Sequence, residues 1–498
     1  MPEVLFGQSY YLRFDPKLWA AMQPYPPLGT LVALAAARDA GYDAALFDAM
    51  LAEGTHEWDA ALDLYTPKIA VLYEDNFNYL SKMSLLRMRE AAFAMIAAAK
   101  ARGCTVIVSG ADMTDHPDLY LSAGADVVIL GEGDITLLEL LAHFSGRAYV
   151  APDYAPLTLT PVGVAIESHP LASVAGIAVL RDGVVEKTLP RPVIRQLDGL
   201  PFPAWDAIDW QRYRQLWQER HGYFSVNLVT TRGCPFHCNW CAKPIWGQKY
   251  SVHSAEYVVR MMAWLRDNIR PDHVWFMDDI MGIQDAWIER FADALEAAGV
   301  HIPFKSLNRV DLLLRGKTIP ALARAGAQIV WVGAESGSQQ ILDAMEKGTT
   351  VEQIYEATRQ MHAHGVQVAF FLQFGYPGEE RADIELTLKM VRELLPDDIG
   401  ISVSYPLPGT PFYERVKEEM GARANWQDSQ DLAMLYRGRF STAFYRQLHT
   451  VVHKEYRSRK TWAALKQGKA RSVRALASMA YHRLTLPLAT RKLDALAR

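Results

Sequence analysis

The chain has 498 residues, half of them apolar and 22% charged, with a formal net charge of −4. That length is too great for one ordinary core and predicts two or three domains. The composition is that of a soluble globular protein, without the uninterrupted apolar run that a bilayer span needs, and four cysteines are too few for an extracellular disulfide scaffold.

The first residues enter a strand pattern at once, so no signal peptide is predicted and a reducing cytoplasm is the expected setting. Strand patterns at 4–7, 44–47, 69–73, 105–108 and 127–130 alternate with helical patterns, among them 28–40 and 85–102, which stop at Gly41 and Gly103. This alternation over 1–145 predicts a parallel, doubly wound, Rossmann-like sheet, whose ligands sit beyond the carboxyl ends of the strands. Two of those ends carry glycine, as Ser109-Gly110 and Gly131-Glu132-Gly133, where a missing Cβ lets a ligand approach the backbone.

Residues 146–222 read as a linker with a hairpin around Arg181-Asp182-Gly183, followed by a proline-rich, non-helical stretch at 197–206. From 223 to 425 the alternation resumes, with strands at 224–229, 273–277, 303–307, 329–333, 367–371 and 400–404. Six such units predict a partial (β/α)6 barrel with its chemistry on the loops after the strands. Residues 426–498 form a mostly helical, basic segment: from His453 onward twelve Lys/Arg face only Glu455 and Asp494. Apolar residues such as Trp462, Leu476 and Leu484 interleave with the cations, a pattern open to a solvated tail or to peripheral membrane contact. Nothing in the chain reads as nucleic-acid recognition.

The first barrel strand runs into Cys234-Pro235-Phe236-His237-Cys238-Asn239-Trp240-Cys241, a CxxxCxxC spacing; the fourth cysteine, Cys104, lies far upstream. Three clustered thiolates hold a four-iron cluster and leave one iron without a protein ligand, and an open metal position signals catalysis. Zinc with His237 as fourth ligand is the competing reading, but zinc sites usually pair ligands from two separate elements. A disulfide would leave an odd cysteine in a loop of poor bridging geometry.

This motif resembles that of the radical S-adenosylmethionine (SAM) superfamily. The resemblance implies a [4Fe-4S] cluster on Cys234, Cys238 and Cys241, with SAM chelated at the free iron and cleaved to a hydrogen-abstracting radical. Gly333-Ala334-Glu335-Ser336-Gly337 resembles a second family motif, and the remaining strand ends fall in register with it. On that resemblance Trp240, Asp278, Asp279, Arg309, Glu335, Ser336, Lys347 and Gln373 are implied contacts of SAM or substrate. The order of the first 145 residues is similar to the cobalamin-binding domain that precedes many radical SAM domains. It implies that Ser109, Gly110, Gly131, Glu132 and Gly133 embrace cobalamin. Residues 7–13 hold no histidine to ligate cobalt, a departure from many such domains that leaves its lower face in question. The methylthiotransferase branch needs three more cysteines in the first domain, and Cys104 cannot supply them. The chain as a whole resembles cobalamin-dependent C-methyltransferases and the anaerobic Mg-protoporphyrin cyclase type. It is thus expected to act on a small-molecule or lipid-like substrate, with a flavodoxin or ferredoxin as electron donor.

Overall fold

The computed structural model describes residues 1–156, 169–421, 424–468 and 472–497. Of the basic tail, Lys469, Arg471 and Arg498 lie outside the described residues. Strands β1 (Val4–Gly7), β2 (Ala44–Leu46), β3 (Ile69–Tyr73), β4 (Thr105–Ser109) and β5 (Val127–Ile129) pair in parallel in the order β2-β1-β3-β4-β5. β1 and β3 are buried along their whole length, as strands covered by helices on both faces must be, and this explains their continuous apolar runs. The chain changes direction between β1 and β3, the place where doubly wound sheets bind ligands.

The hairpin that the sequence places in a linker belongs instead to this first sheet. β6 (Ile177–Arg181) pairs antiparallel with β5, and β7 (Val184–Lys187) pairs with β6. Its inner residues Ile177, Ala178 and Val179 are buried against the sheet and cover the open edge of β5.

The second sheet consists of β8 (Ser225–Leu228), β11 (His273–Phe276), β12 (Phe304–Asn308), β13 (Ala327–Glu335), β14 (Gln367–Phe374) and β15 (Asp398–Val403), all parallel and in chain order. It is an open six-stranded barrel, as expected. Between β8 and β11 lies a two-stranded ribbon, β9 (Thr231–Arg232) with β10 (Ser251–Val252). Alternation along each strand sends Val330 and Val332 toward the helices and Trp331 and Gly333 toward the lumen.

The open side of the barrel is closed by the N-terminal unit. Tyr25 Oη lies 3.1 Å from Ser225 Oγ, and Asn227 Nδ2 donates to the Pro26 carbonyl at 2.9 Å. Residues 424–441 cross the far end: Trp426 stacks on Tyr405 at 4.5 Å, and its carbonyl accepts from Leu86 N–H at 2.9 Å. Two helices, Thr442–Lys466 and Val473–Leu496, then pack as a hairpin on the helix Arg381–Leu394 through Arg392–Glu455 and Arg381–Asp494. The last helix leaves Val473, Tyr481, Leu484 and Leu488 exposed beside Arg474, Arg483, Arg491 and Lys492. Among the described residues no helix is long and apolar enough to cross a membrane.

Candidate active site

The carboxyl ends of both sheets meet, and the cysteine loop lies at their junction. Cys234, Cys238 and Cys241 are free thiols on one partly exposed loop. The β9–β10 ribbon fixes the base of this loop. Gly233 makes its first bend at φ +79°, where an added Cβ would collide with the Lys249 carbonyl. Among the described residues no three ligating groups converge on one point as they would around a single ion. Sulfurs that ligate separate irons of a cluster have no need to converge, and three thiols are the donor type that such clusters take. Burial, with Asp279 adding to it, raises the Cys241 thiol to about 12, so metal must displace a proton there.

Asp278 is committed to the approach to this loop. One carboxylate oxygen accepts Thr230 N–H at 2.6 Å and Thr231 N–H at 2.8 Å; the other accepts the Thr230 hydroxyl at 2.7 Å. Burial pushes Asp278 up to about 7 against those hydrogen bonds. These bonds tie it to the Thr230-Thr231 segment that leads into the cysteine loop. Asp279 is the more open of the pair and forms an ion pair with Lys82 of the N-terminal unit.

Arg309 also supports the loop. Its guanidinium lies 3.8 Å from the Phe236 ring centroid and 3.8 Å from Cys238 Sγ, while bonding Asp311 and the Lys347 carbonyl. Glu335 and Lys347 form a buried ion pair at 2.8 Å. Burial opposes the Lys347 charge, but the Glu335 carboxylate outweighs it and the net shift is upward. The pair lies over Gly333, where any Cβ would strike both charged atoms. Glu335 itself adopts φ +55°, an uncommon region for a residue with a side chain, at a bulge in β13. Ser336 is fully buried against Thr387 and caps Ser338 N–H, so it orders the loop. Gln373 donates to Ser404 at 2.9 Å. Trp240 packs against Ile341, Met345, Tyr376 and Phe412, with its indole N–H unpartnered.

Asn239, for which the sequence offers no role of its own, pins the cysteine loop to the barrel. It bonds the carbonyls of Met345 and Ala344, accepts from Tyr376 at 2.7 Å, and offers its own carbonyl to Phe412 N–H. Its place between Cys238 and Cys241 was the only signal. The sequence likewise assigns no role to Arg232. Two residues before Cys234, it is buried and bonds Glu132, on the loop after β5, at 2.6 Å and Asp134, the first residue of the following helix, at 2.8 and 3.1 Å. Glu132 also accepts Ile194 N–H, so the structure turns this expected cobalamin contact toward the barrel.

The other expected cobalamin contacts line the first sheet's edge. Ser109 Oγ is buried and unpartnered, as are Glu74 Oε2, Asn76 Oδ1 and Tyr10 Oη. Gly110 lies against Glu74, where a Cβ would come within 2.7 Å of its side chain. A Cβ on Gly133 would come within 2.8 Å of Ser109 Oγ and 2.9 Å of Tyr73 Oη, and Gly131 turns at φ +75° beneath the Ile245 carbonyl.

Under the far strand ends Glu379 accepts Gly375 N–H at 2.6 Å and keeps its second oxygen unpartnered. Burial raises it to about 8. The folded chain thus holds this proton where the unfolded chain has lost it. Stability falls as pH rises from the ordinary carboxylate range through about 8. Glu379→Gln should remove that share of the slope. The melting-temperature difference, variant minus wild type, is expected to grow from about pH 5 to about pH 9 in thermal denaturation, and a constant difference refutes the assignment.

Three free thiols thus lie at the mouth of a parallel half-barrel, facing the ligand edge of a doubly wound sheet. Residues 228–391 match the Radical SAM superfamily, and the chain carries a radical SAM domain. An uncharacterized methyltransferase of Pyrococcus horikoshii is 25% identical over 326 residues, 65% of this chain and 65% of that one. The anaerobic magnesium-protoporphyrin IX monomethyl ester cyclase of Cereibacter sphaeroides is 26% identical over 298 residues, 59% of this chain and 45% of that one. The chain therefore spans less than two thirds of the length of either relative. Among solved structures, the cobalamin-dependent S-adenosylmethionine radical enzyme OxsB with aqua-cobalamin bound shares the fold. Its TM-score is 0.68 at 16% identity, over 99% of this chain and 72% of that one.

Proposed function

We propose that this chain is a cobalamin-dependent radical SAM enzyme that C-methylates an unactivated carbon of a small-molecule or lipid-like metabolite in a reducing cytoplasm. The observation that carries this reading is the junction itself: a loop of three free thiols set opposite a sheet edge lined with unpartnered buried polar atoms. Unpartnered polar groups are costly and usually await a ligand or water. When bound, a [4Fe-4S] cluster supplies an electron and an open iron to SAM, and cobalamin supplies a methyl group.

The chain's own residues position and enclose. Cys234, Cys238 and Cys241 hold the cluster; Asn239 and Asp278 fix the loop, and Arg309 neutralises charge beside Cys238. Glu335 and Lys347 form a buried ion pair packed over Gly333, which orders the end of β13 beside the cysteine loop's Arg309 support. Tyr10, Glu74, Asn76 and Ser109 offer hydrogen bonds to the amides of a corrin. An external one-electron donor of the flavodoxin or ferredoxin type completes the reading.

Similarity to the cyclase favours a second reading, radical oxidative cyclisation with the same two cofactors. Products separate the two. Methylation is expected to yield S-adenosylhomocysteine together with 5′-deoxyadenosine, in equal amounts. Cyclisation yields 5′-deoxyadenosine without S-adenosylhomocysteine. Titration with hydroxocobalamin is expected to perturb the corrin spectrum; an unchanged spectrum overturns both readings.

A further inference from the structure

The lumen face of the second sheet and the N-terminal unit enclose a cavity of about 240 Å³. Trp275, Trp331 and Phe371 form its barrel wall, and Tyr10 and Tyr25 face them. Trp331 and Phe371 lie 4.6 Å apart, and Gly400 beside them leaves no side chain to break the surface. Phe371 is 38% exposed although it sits inside the barrel, so the wall presents free aromatic area to whatever enters.

One cation enters this largely aromatic cavity, whose N-terminal side also carries Gln23, Asp75 and Asn78. Lys305 on β12 places its ammonium 3.8 Å from the Trp275 ring centroid and 5.4 Å from that of Tyr25. Among the described residues no carboxylate, carbonyl or hydroxyl lies within hydrogen-bond reach of it. Lys305 itself is half-buried. Among the described residues the fully buried Arg and Lys side chains are paired: Arg232 with Glu132 and Asp134, Arg309 with Asp311, and Lys347 with Glu335. A desolvated ammonium is costly, and ring faces offset only part of that cost. Burial draws Lys305 down to about 7, with distant Asp398 opposing weakly. A nearby anion would restore its charge.

We propose that Lys305 is the anion anchor of the substrate pocket. It takes the carboxylate or phosphate of a substrate whose flat apolar body lies on Trp275, Trp331 and Phe371. The word substrate here rests on the enzymatic reading above; the binding site itself rests on the cavity. The same anionic chemistry occurs once in cobalamin, as its nucleotide phosphodiester, and the experiment separates the two sources.

The probes are 2-naphthylacetate and its uncharged counterpart 2-(2-naphthyl)ethanol, titrated calorimetrically into the anaerobically reconstituted full chain. The acid should bind at least about tenfold tighter than the alcohol, the size of one charge-assisted hydrogen bond. Lys305→Met should erase that preference by weakening the acid alone, and Lys305→Arg should keep it. Lys305→Met removes an unpaired charge from an apolar wall, so its melting temperature should hold or rise. Hydroxocobalamin affinity should be the same in wild type and Lys305→Met. Absence of an acid preference in wild type, or its survival in Lys305→Met, overturns the proposal. So does a variant that loses cobalamin affinity while keeping the acid preference, because the anion is then the cofactor's own. These readouts do not require SAM cleavage, so failure of the enzymatic reading leaves them intact and distinguishable.

Discussion

Cys234→Ala is expected to abolish both the iron–sulfur chromophore and SAM cleavage while leaving the fold intact. The reason is positional. The three thiols belong to one loop, and in the proposed cluster each would ligate a different iron, so removing one sulfur would leave a second iron without a protein ligand and the cluster would be lost. The fold should tolerate the change because Cys234 is only partly buried and its loop is held by other residues, chiefly Asn239 and Asp278. Iron and sulfide analysis after anaerobic reconstitution reads the first effect and 5′-deoxyadenosine formation the second. The apo variant should unfold within about 1 kcal/mol of wild type. A variant that retains full iron and sulfide refutes the ligand assignment. His237→Ala provides the contrast: the cluster reading expects it to keep the metal, whereas a zinc site would lose it.

Arg232→Met is expected to destabilise the whole chain by about 3–5 kcal/mol, the cost of breaking a buried ion pair from one side. Arg232 is 5% exposed and is held by Glu132 and Asp134, each 4% exposed in its side chain. Without the guanidinium two carboxylates remain buried side by side. Burial already raises Glu132, partly offset by Arg232, so its loss also forces proton uptake on folding. Chemical denaturation of the apo chain measures the effect. Adding Glu132→Gln and Asp134→Asn to Arg232→Met should recover most of it, because a neutral trio has no unpaired charge to desolvate. A single variant within about 1 kcal/mol of wild type would show that the triad carries no net interaction. The same variant should load less iron even where it is folded, since Arg232 ties the approach to Cys234 to the first sheet.

The sequence exposed the parts of this molecule that depend on neighbours in the chain. Strand patterns at 4–7, 69–73 and 367–371 coincide with β1, β3 and the first part of β14 because apolar runs between glycine-ended helices have few other ways to be buried. The cysteine triad was legible for the same reason: all three ligands lie within eight residues. The hairpin at β6 and β7 was legible as a hairpin but was placed in a linker. Which sheet a strand joins depends on the edge it meets, and the open edge of β5 is nearly fifty residues away.

Side-chain roles at the site were less legible. Asp278 and Asp279 are neighbours, yet one turns inward to Thr230 and Thr231 and the other turns out to Lys82. A strand end sends consecutive side chains to opposite sides, and the partners come from distant loops. Glu132 was an expected cobalamin contact only through the resemblance to cobalamin-binding domains; its partner Arg232 is 100 positions on.

By itself, then, the sequence determined two things: the alternation that forces parallel sheets, and the local spacing of thiols that selects an iron–sulfur cluster. The tertiary structure alone decided what the two halves do together. It set the cysteine loop against the first sheet's ligand edge and committed Glu132 and Asp278 to structural bonds. It also closed an aromatic cavity around Lys305. These outcomes come from contacts between residues far apart in the chain, and burial then fixes which polar groups are paired and which are left for a ligand.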